Sequence, residues 1–200
     1  MTAVRSVLAN HAWREDRGAQ LVEFAVTLPL MMVFVVGIFD FSGAFTLKQK
    51  LTNIARDAAR AAAAEPASDL GNTLPVSVSD TFQAVKNYLA TNNINDCGIA
   101  APVSSSGLTW TSTANANGCM SSGLILTINR GYYFPQTGAT LPSVGCTSQA
   151  PGGGQTAVIG TCVSIQYPYP WRFGRVASLL GSAVALPTEI SATAVAMNEN

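Results

Sequence analysis

The chain has 200 residues, 48% of them hydrophobic and only 11% charged, with eleven basic and eleven acidic residues and a net charge of zero. Length allows one modest domain and an anchor. Charge argues against a nucleic-acid binder, because there is no basic excess to hold a phosphate backbone: beyond Lys86 the only basic residues are Arg130, Arg172 and Arg175.

Residues 1–18 are short and polar and include Arg5, Arg14 and Arg17. Leu21–Phe45 follows, with no charge from Phe24 to Phe39. At about 1.5 Å per residue the charge-free run falls a little short of the ~30 Å hydrocarbon core; Leu21–Phe45 is long enough, and includes Glu23 and Asp40. Pro29 lies inside the run, removes one backbone donor and predicts a bend near Ala25–Pro29, which membrane helices tolerate. Leu47, Leu51, Ile54, Ala58 and Ala62 then recur at spacings of three and four, one face of a helix, with Lys50, Asn53, Asp57 and Arg60 largely off it. Glu65-Pro66 ends the pattern. One helix from about Gln20 to Glu65 is predicted, half in lipid and half in water.

Pro66–Pro75 reads as a loop. Asp80 is a candidate cap for a second helix over Thr81–Asn92, with Phe82, Val85, Tyr88 and Leu89 on its apolar face. Asn93–Gly123 is polar and holds two of the cysteines. Strand patterns occupy Leu124–Phe134, Ala157–Tyr167 and Glu189–Met197. Pro135–Gln155 is a loop, and its Gly152-Gly153-Gly154 triplet lacks the context of a phosphate cradle. The fold class is α+β and membrane-anchored, a long N-terminal transmembrane helix continuing into a small head domain with an antiparallel sheet.

The four cysteines, Cys97, Cys119, Cys146 and Cys162, all follow the apolar segment. An even count on one side of a membrane fits disulfides in an oxidising compartment. Three connectivities are open; pairing of sequence neighbours, Cys97–Cys119 and Cys146–Cys162, is the expectation. There is no CxxC pair, and the single histidine, His11, lies on the other side of the anchor, so no metal site is expected. Its position also excludes Ser-His-Asp and Cys-His catalysis beyond the anchor. Asp69, Asp80, Asp96, Glu189 and Glu199 form no motif for a paired-carboxylate hydrolase. Tyr167-Pro168-Tyr169-Pro170-Trp171 reads as a strand end under a loop, with partner or glycan binding as the functional alternative. Asp40 reads as a carboxylate at the membrane surface. Lys48, Lys50, Arg56 and Arg60 after the segment outnumber the arginines before it, so the positive-inside count does not set orientation. The cysteines and the long following domain place the N-terminus in the cytoplasm.

The junction Arg17-Gly18-Ala19-Gln20-Leu21-Val22-Glu23-Phe24 is the motif that carries chemistry. It resembles the processing site of type IV prepilin-like proteins: a glycine, four residues, then Glu-Phe opening an apolar helix. The chain is similar to the TadE-like minor pilins or pseudopilins of the tight-adherence (Flp) pilus. Val22-Glu23-Phe24-Ala25, Leu28-Pro29, Ala55-Arg56-Asp57-Ala58-Ala59-Arg60 and the Ile190–Asn200 end carry the likeness, whereas Ala67–Leu186 matches only in general character. The resemblance implies a cytoplasmic leader over 1–18, cleavage after Gly18 by a prepilin peptidase, a transmembrane helix over 19–45, a helix extension over 46–65 and an extracytoplasmic head over 66–200. Gly18 would let the peptidase approach the backbone. The new amine of Ala19 and the Glu23 carboxylate, one helix turn apart, would neutralise each other or a neighbouring subunit. Phe24 completes the processing pattern. The implied role is non-enzymatic pilus assembly with no cofactor. The implied partners are the prepilin peptidase, other pilins and minor pilins, an inner-membrane assembly platform and the lipid bilayer. The implied location is the bacterial inner membrane with the head in the periplasm, and the extracellular pilus after assembly. The alternative is a secreted or membrane-tethered binding protein whose signal peptide is cleaved after Ser42-Gly43-Ala44.

Overall fold

A computed structural model describes residues 5–120, 123–134, 142, 144–148, 150, 158–173 and 186–199. Seven elements follow in order: α1 (Arg5–Ala64), α2 (Val76–Thr91), β1 (Val103–Ser106), β2 (Thr109–Ala114), β3 (Leu124–Tyr133), β4 (Ile159–Pro168) and β5 (Glu189–Met197). The chain divides into two compact units, Met1–Ser42 with Trp171–Leu186, and Gly43–Pro170 with Pro187–Asn200.

In the larger unit the second half of α1 buries a double row of small and aliphatic residues. Leu51, Ile54, Ala55, Ala58, Ala59, Ala62 and Ala63 are all buried. The expected stripe is therefore present, widened by the adjacent alanines, with Leu47 only half-buried. Alanine favours the helix and lets a neighbouring layer come close. Gly43 extends this economy: a Cβ there would stand 2.8 Å from the Tyr169 hydroxyl.

The second helix starts earlier than the sequence pattern suggests. Asp80 does not cap it; Asp80 lies inside α2, which opens behind Pro75 at φ −62°, ψ 151°. The cap comes from the loop instead, where Asp69 Oδ2 accepts the Val76 N–H at 2.6 Å. A carboxylate there satisfies one of the orphan amides of the first turn and meets the positive end of the helix. Val78, Phe82, Val85 and Leu89 form the buried face, and Tyr88 is half-buried.

The five strands form one antiparallel meander in the order β1-β2-β3-β4-β5. The polar region Asn93–Gly123, to which the sequence pattern assigns no element, contains β1 and β2, joined by a turn at Gly107 with φ 53°. Trp110, Leu124, Leu126, Ile128, Val163 and Ile165 are buried in it. Trp110 also ties the loop before α2 to the sheet, its Nε1 donating to the Thr73 carbonyl at 2.9 Å. The opposite face of β3 and β4 is covered by the segment at Cys146. Tyr132, Cys146 and Cys162 cluster with Val195, and Asn129 Nδ2 donates to the Cys146 carbonyl at 2.9 Å. Covering both faces buries the polar Thr127, Asn129, Thr161 and Ser164 of the two central strands along with their apolar neighbours. Both disulfides join sequence neighbours, Cys97–Cys119 and Cys146–Cys162. Most of the Pro135–Gln155 loop, including the Gly152-Gly153-Gly154 triplet, lies outside the described residues.

Candidate functional site: the exposed apolar helix

The residues of the processing motif stand on α1. Gly18, Ala19, Glu23 and Phe24 are all exposed, and nothing lies within 4 Å of a Cβ placed on Gly18. Helix α1 starts at Arg5, well before the expected Gln20, because no proline interrupts Arg5–Arg17 and its alanines, leucine and arginines favour helix. The helix runs through Pro29, which cannot donate to the Ala25 carbonyl.

Beyond Glu23 the helix leaves its apolar side chains uncovered. Phe24, Val26, Met31, Met32, Phe34, Ile38 and Phe39 are each more than 60% exposed. Among the described residues Gly18–Ala64 is the one helix long and apolar enough to cross a membrane, and only 6% of its most apolar window is buried. A soluble monomer rarely leaves so much contiguous apolar surface in water. An all-round apolar helix belongs among lipid tails or other helices.

Asp40 is not the open surface carboxylate that the sequence suggests. It is 7% exposed, and its Oδ2 accepts the backbone N–H groups of Arg172 and Phe173, each at 2.8 Å. The Tyr167–Trp171 stretch divides between elements. Tyr167 and Pro168 end β4, with Pro168 buried and Tyr167 half-buried, as a strand end requires. Burial pushes the Tyr167 phenol up from its ordinary value, Asp96 adds to the rise, and a hydrogen bond with the Asn95 backbone opposes it.

Sequence reasoning missed Arg130. It is 1% exposed on β3. One guanidinium nitrogen donates to Thr161 Oγ1 at 3.1 Å, and another to the Glu65 carbonyl at 2.8 Å and the Pro66 carbonyl at 3.4 Å. Asn198 closes the network, accepting from Thr161 Oγ1 at 2.7 Å and donating from Nδ2 to the Arg130 carbonyl at 3.2 Å. The Glu199 N–H reaches the Ala63 carbonyl at 3.3 Å. The cation thus sits on the negative end of α1, where a helix dipole favours it. Burial pulls its pKa down, and the charges of Asp69 and then Glu65 hold it up. The signal was present: Arg130 is the single charge in an apolar strand pattern.

Two clefts open on the larger unit. One, of about 380 Å³, is lined by Arg56, Arg60, Phe134, Pro142 and β5 residues Thr193–Val195. The other, of about 270 Å³, is lined by Glu65, Pro66, Ser68, Asp69, Val76 and Ser77. Neither brings together two of Asp69, Asp80, Asp96, Glu189 and Glu199. Among the described residues no group of three or more His, Cys, Asp or Glu could hold a metal ion.

These features define a class: an α+β protein with a candidate membrane anchor and a disulfide-bonded antiparallel sheet. Within it, the family model of TadE-like proteins matches residues 18–60, from Gly18 to the last arginine of the Ala55–Arg60 stretch. No curated protein and no solved structure matches the chain.

Proposed function

We propose that this protein is a minor pilin or pseudopilin that assists assembly of a Tad-type pilus, acting by helix packing and not by catalysis. The carrying observation is the overlap of the TadE-like match with the exposed apolar helix. The N-terminal part of the matched segment holds the exposed apolar side chains, from Leu21 to Phe45. In the membrane, lipid covers it; in a pilus, helices of other pilins and minor pilins would. The prepilin peptidase would cut after Gly18. Because Gly18 lies within helix, cutting needs a local unwinding, and glycine lowers that cost by about 1 kcal/mol relative to alanine. The amine of Ala19 and the Glu23 carboxylate then lie on one helix face. A prepilin enters the inner membrane with its N-terminus in the cytoplasm and its head in the periplasm; both disulfides follow the helix and fit that side. The assembly platform of the inner membrane would then extract the anchored chain.

The test is the N-terminal sequence of the protein recovered from membranes, with and without the prepilin peptidase. A start at Ala19 that depends on the peptidase is expected. A start at Phe45 would overturn the proposal in favour of a secreted domain. That outcome would require cleavage within continuous helix, next to the buried Ala44. An uncut N-terminus would leave a plain anchored protein and also overturn it.

A further inference from the structure

The C-terminal end of the charge-free run carries an attachment to a distant part of the chain. Asp40 pins the amides of Arg172 and Phe173 from more than 130 positions away in the chain. Beside it the Phe41 ring meets Trp171 at 5.2 Å and Phe173 at 5.9 Å, both tilted. One turn earlier Gly37 makes the notch: a Cβ there would stand 3.0 Å from the Phe173 ring. A carboxylate, a ring and a notch therefore hold residues 171–173 against one turn of α1.

The resulting patch has a definite chemistry. Phe41 is 49% exposed, Trp171 and Phe173 are half-buried and Arg172 is exposed. From Pro170 to Pro187 the chain carries Arg172 and Arg175 and no acid, and the Asp40 carboxylate is turned to backbone amides. Aromatic rings with one polar edge collect at the boundary between lipid tails and headgroups. An exposed guanidinium beside them suits a phosphate. The patch also sits where the uncharged stretch of the helix ends, which is where that boundary falls for a spanning helix.

We propose that Gly37–Phe41 and Trp171–Phe173 form an interfacial clasp that binds the headgroup boundary of a phospholipid bilayer, with Trp171 at the glycerol level and Arg172 on lipid phosphate. The clasp rests on the reading of α1 as a membrane span.

The full chain is reconstituted in phosphatidylcholine–phosphatidylglycerol vesicles whose acyl chains carry bromine either near the headgroup or near the bilayer centre. Subtracting the tryptophan quenching of Trp171→Phe from that of the native chain isolates Trp171 without disturbing buried Trp110. The expected difference is roughly twofold or more larger for shallow bromine, and Asp40→Ala abolishes that depth preference. Removing phosphatidylglycerol weakens shallow quenching in the native chain and not in Arg172→Gln. Equal quenching of native chain and Trp171→Phe would mean that protein, such as a second copy, covers the patch, and would overturn the clasp. So would stronger quenching by deep bromine. Flotation separates the two readings. A chain that does not float with vesicles removes the membrane span itself, whereas one that floats without a Trp171 signal removes only the clasp.

Discussion

Arg130 does several jobs with one side chain. It accepts no lone partner charge; it gathers the carbonyls at the end of α1, a threonine on β4 and, through Asn198, the end of the sheet. Arg130→Ala is expected to lower the stability of the larger unit by about 3 kcal/mol, and Asn198→Ala by about 1 kcal/mol, because bonds to a buried charge are worth more than neutral ones. Urea unfolding followed by far-ultraviolet circular dichroism would measure both. Tyr167 supplies the pH dependence. Its folded phenol is raised, so the stability it contributes is complete below the ordinary phenol range near 10 and is lost as pH climbs through the raised value. A spectrophotometric titration should show one late tyrosine, absent in Tyr167→Phe. Under the proposed function Glu23 acts in assembly, so Glu23→Ala should leave processing largely intact and reduce pilus formation. Normal piliation by that variant would remove the proposed role.

Helix and strand legibility followed hydrophobic period. The stripe Leu51–Ala62 and β5 were readable because each buries a regular face, and β3 and β4 because their β-branched and aromatic residues cluster in short runs. The β1–β2 hairpin was not, because β1 is exposed at every position and serine and threonine carry no apolar alternation. Its one cue was a two-residue turn, Gly107-Leu108, between polar flanks. The start of α2 was missed because its cap comes from Asp69, seven positions before Val76, outside any local capping pattern. The Gly18–Phe24 motif is contiguous, and the TadE-like match begins at its glycine. The Asp40 bonds and the Arg130 network were not legible, since both join residues that are far apart in sequence and no local rule couples them. Two changes probe the elements. Asp69→Ala should cost about 1 kcal/mol by uncapping α2. Ala58→Leu should cost about 1–3 kcal/mol by overfilling the tight face of α1. Thermal denaturation of each variant would test the order.

At the scale of the molecule, the sheet is a meander in which each strand pairs with the next, and the disulfides close short loops with sequence separations of 22 and 16. Replacing Cys97 and Cys119 together by alanine should cost about 3 kcal/mol, the loop-closure value for this size. Replacing Cys146 and Cys162 should cost more, because both are fully packed in the cluster with Tyr132. Calorimetry on the two double variants would rank them.

The pairing of first with second and third with fourth cysteine has a consequence for biogenesis. If the head crosses into an oxidising compartment starting from its helix-proximal end, Cys119 arrives while Cys97 is the only other thiol there. Cys162 then meets Cys146 with the first pair already spent. An oxidase that couples thiols in order of arrival would yield the native bridges without reshuffling, so oxidation during translocation should need no disulfide isomerase, whereas refolding of the reduced head exposes all four thiols at once and should gain from one.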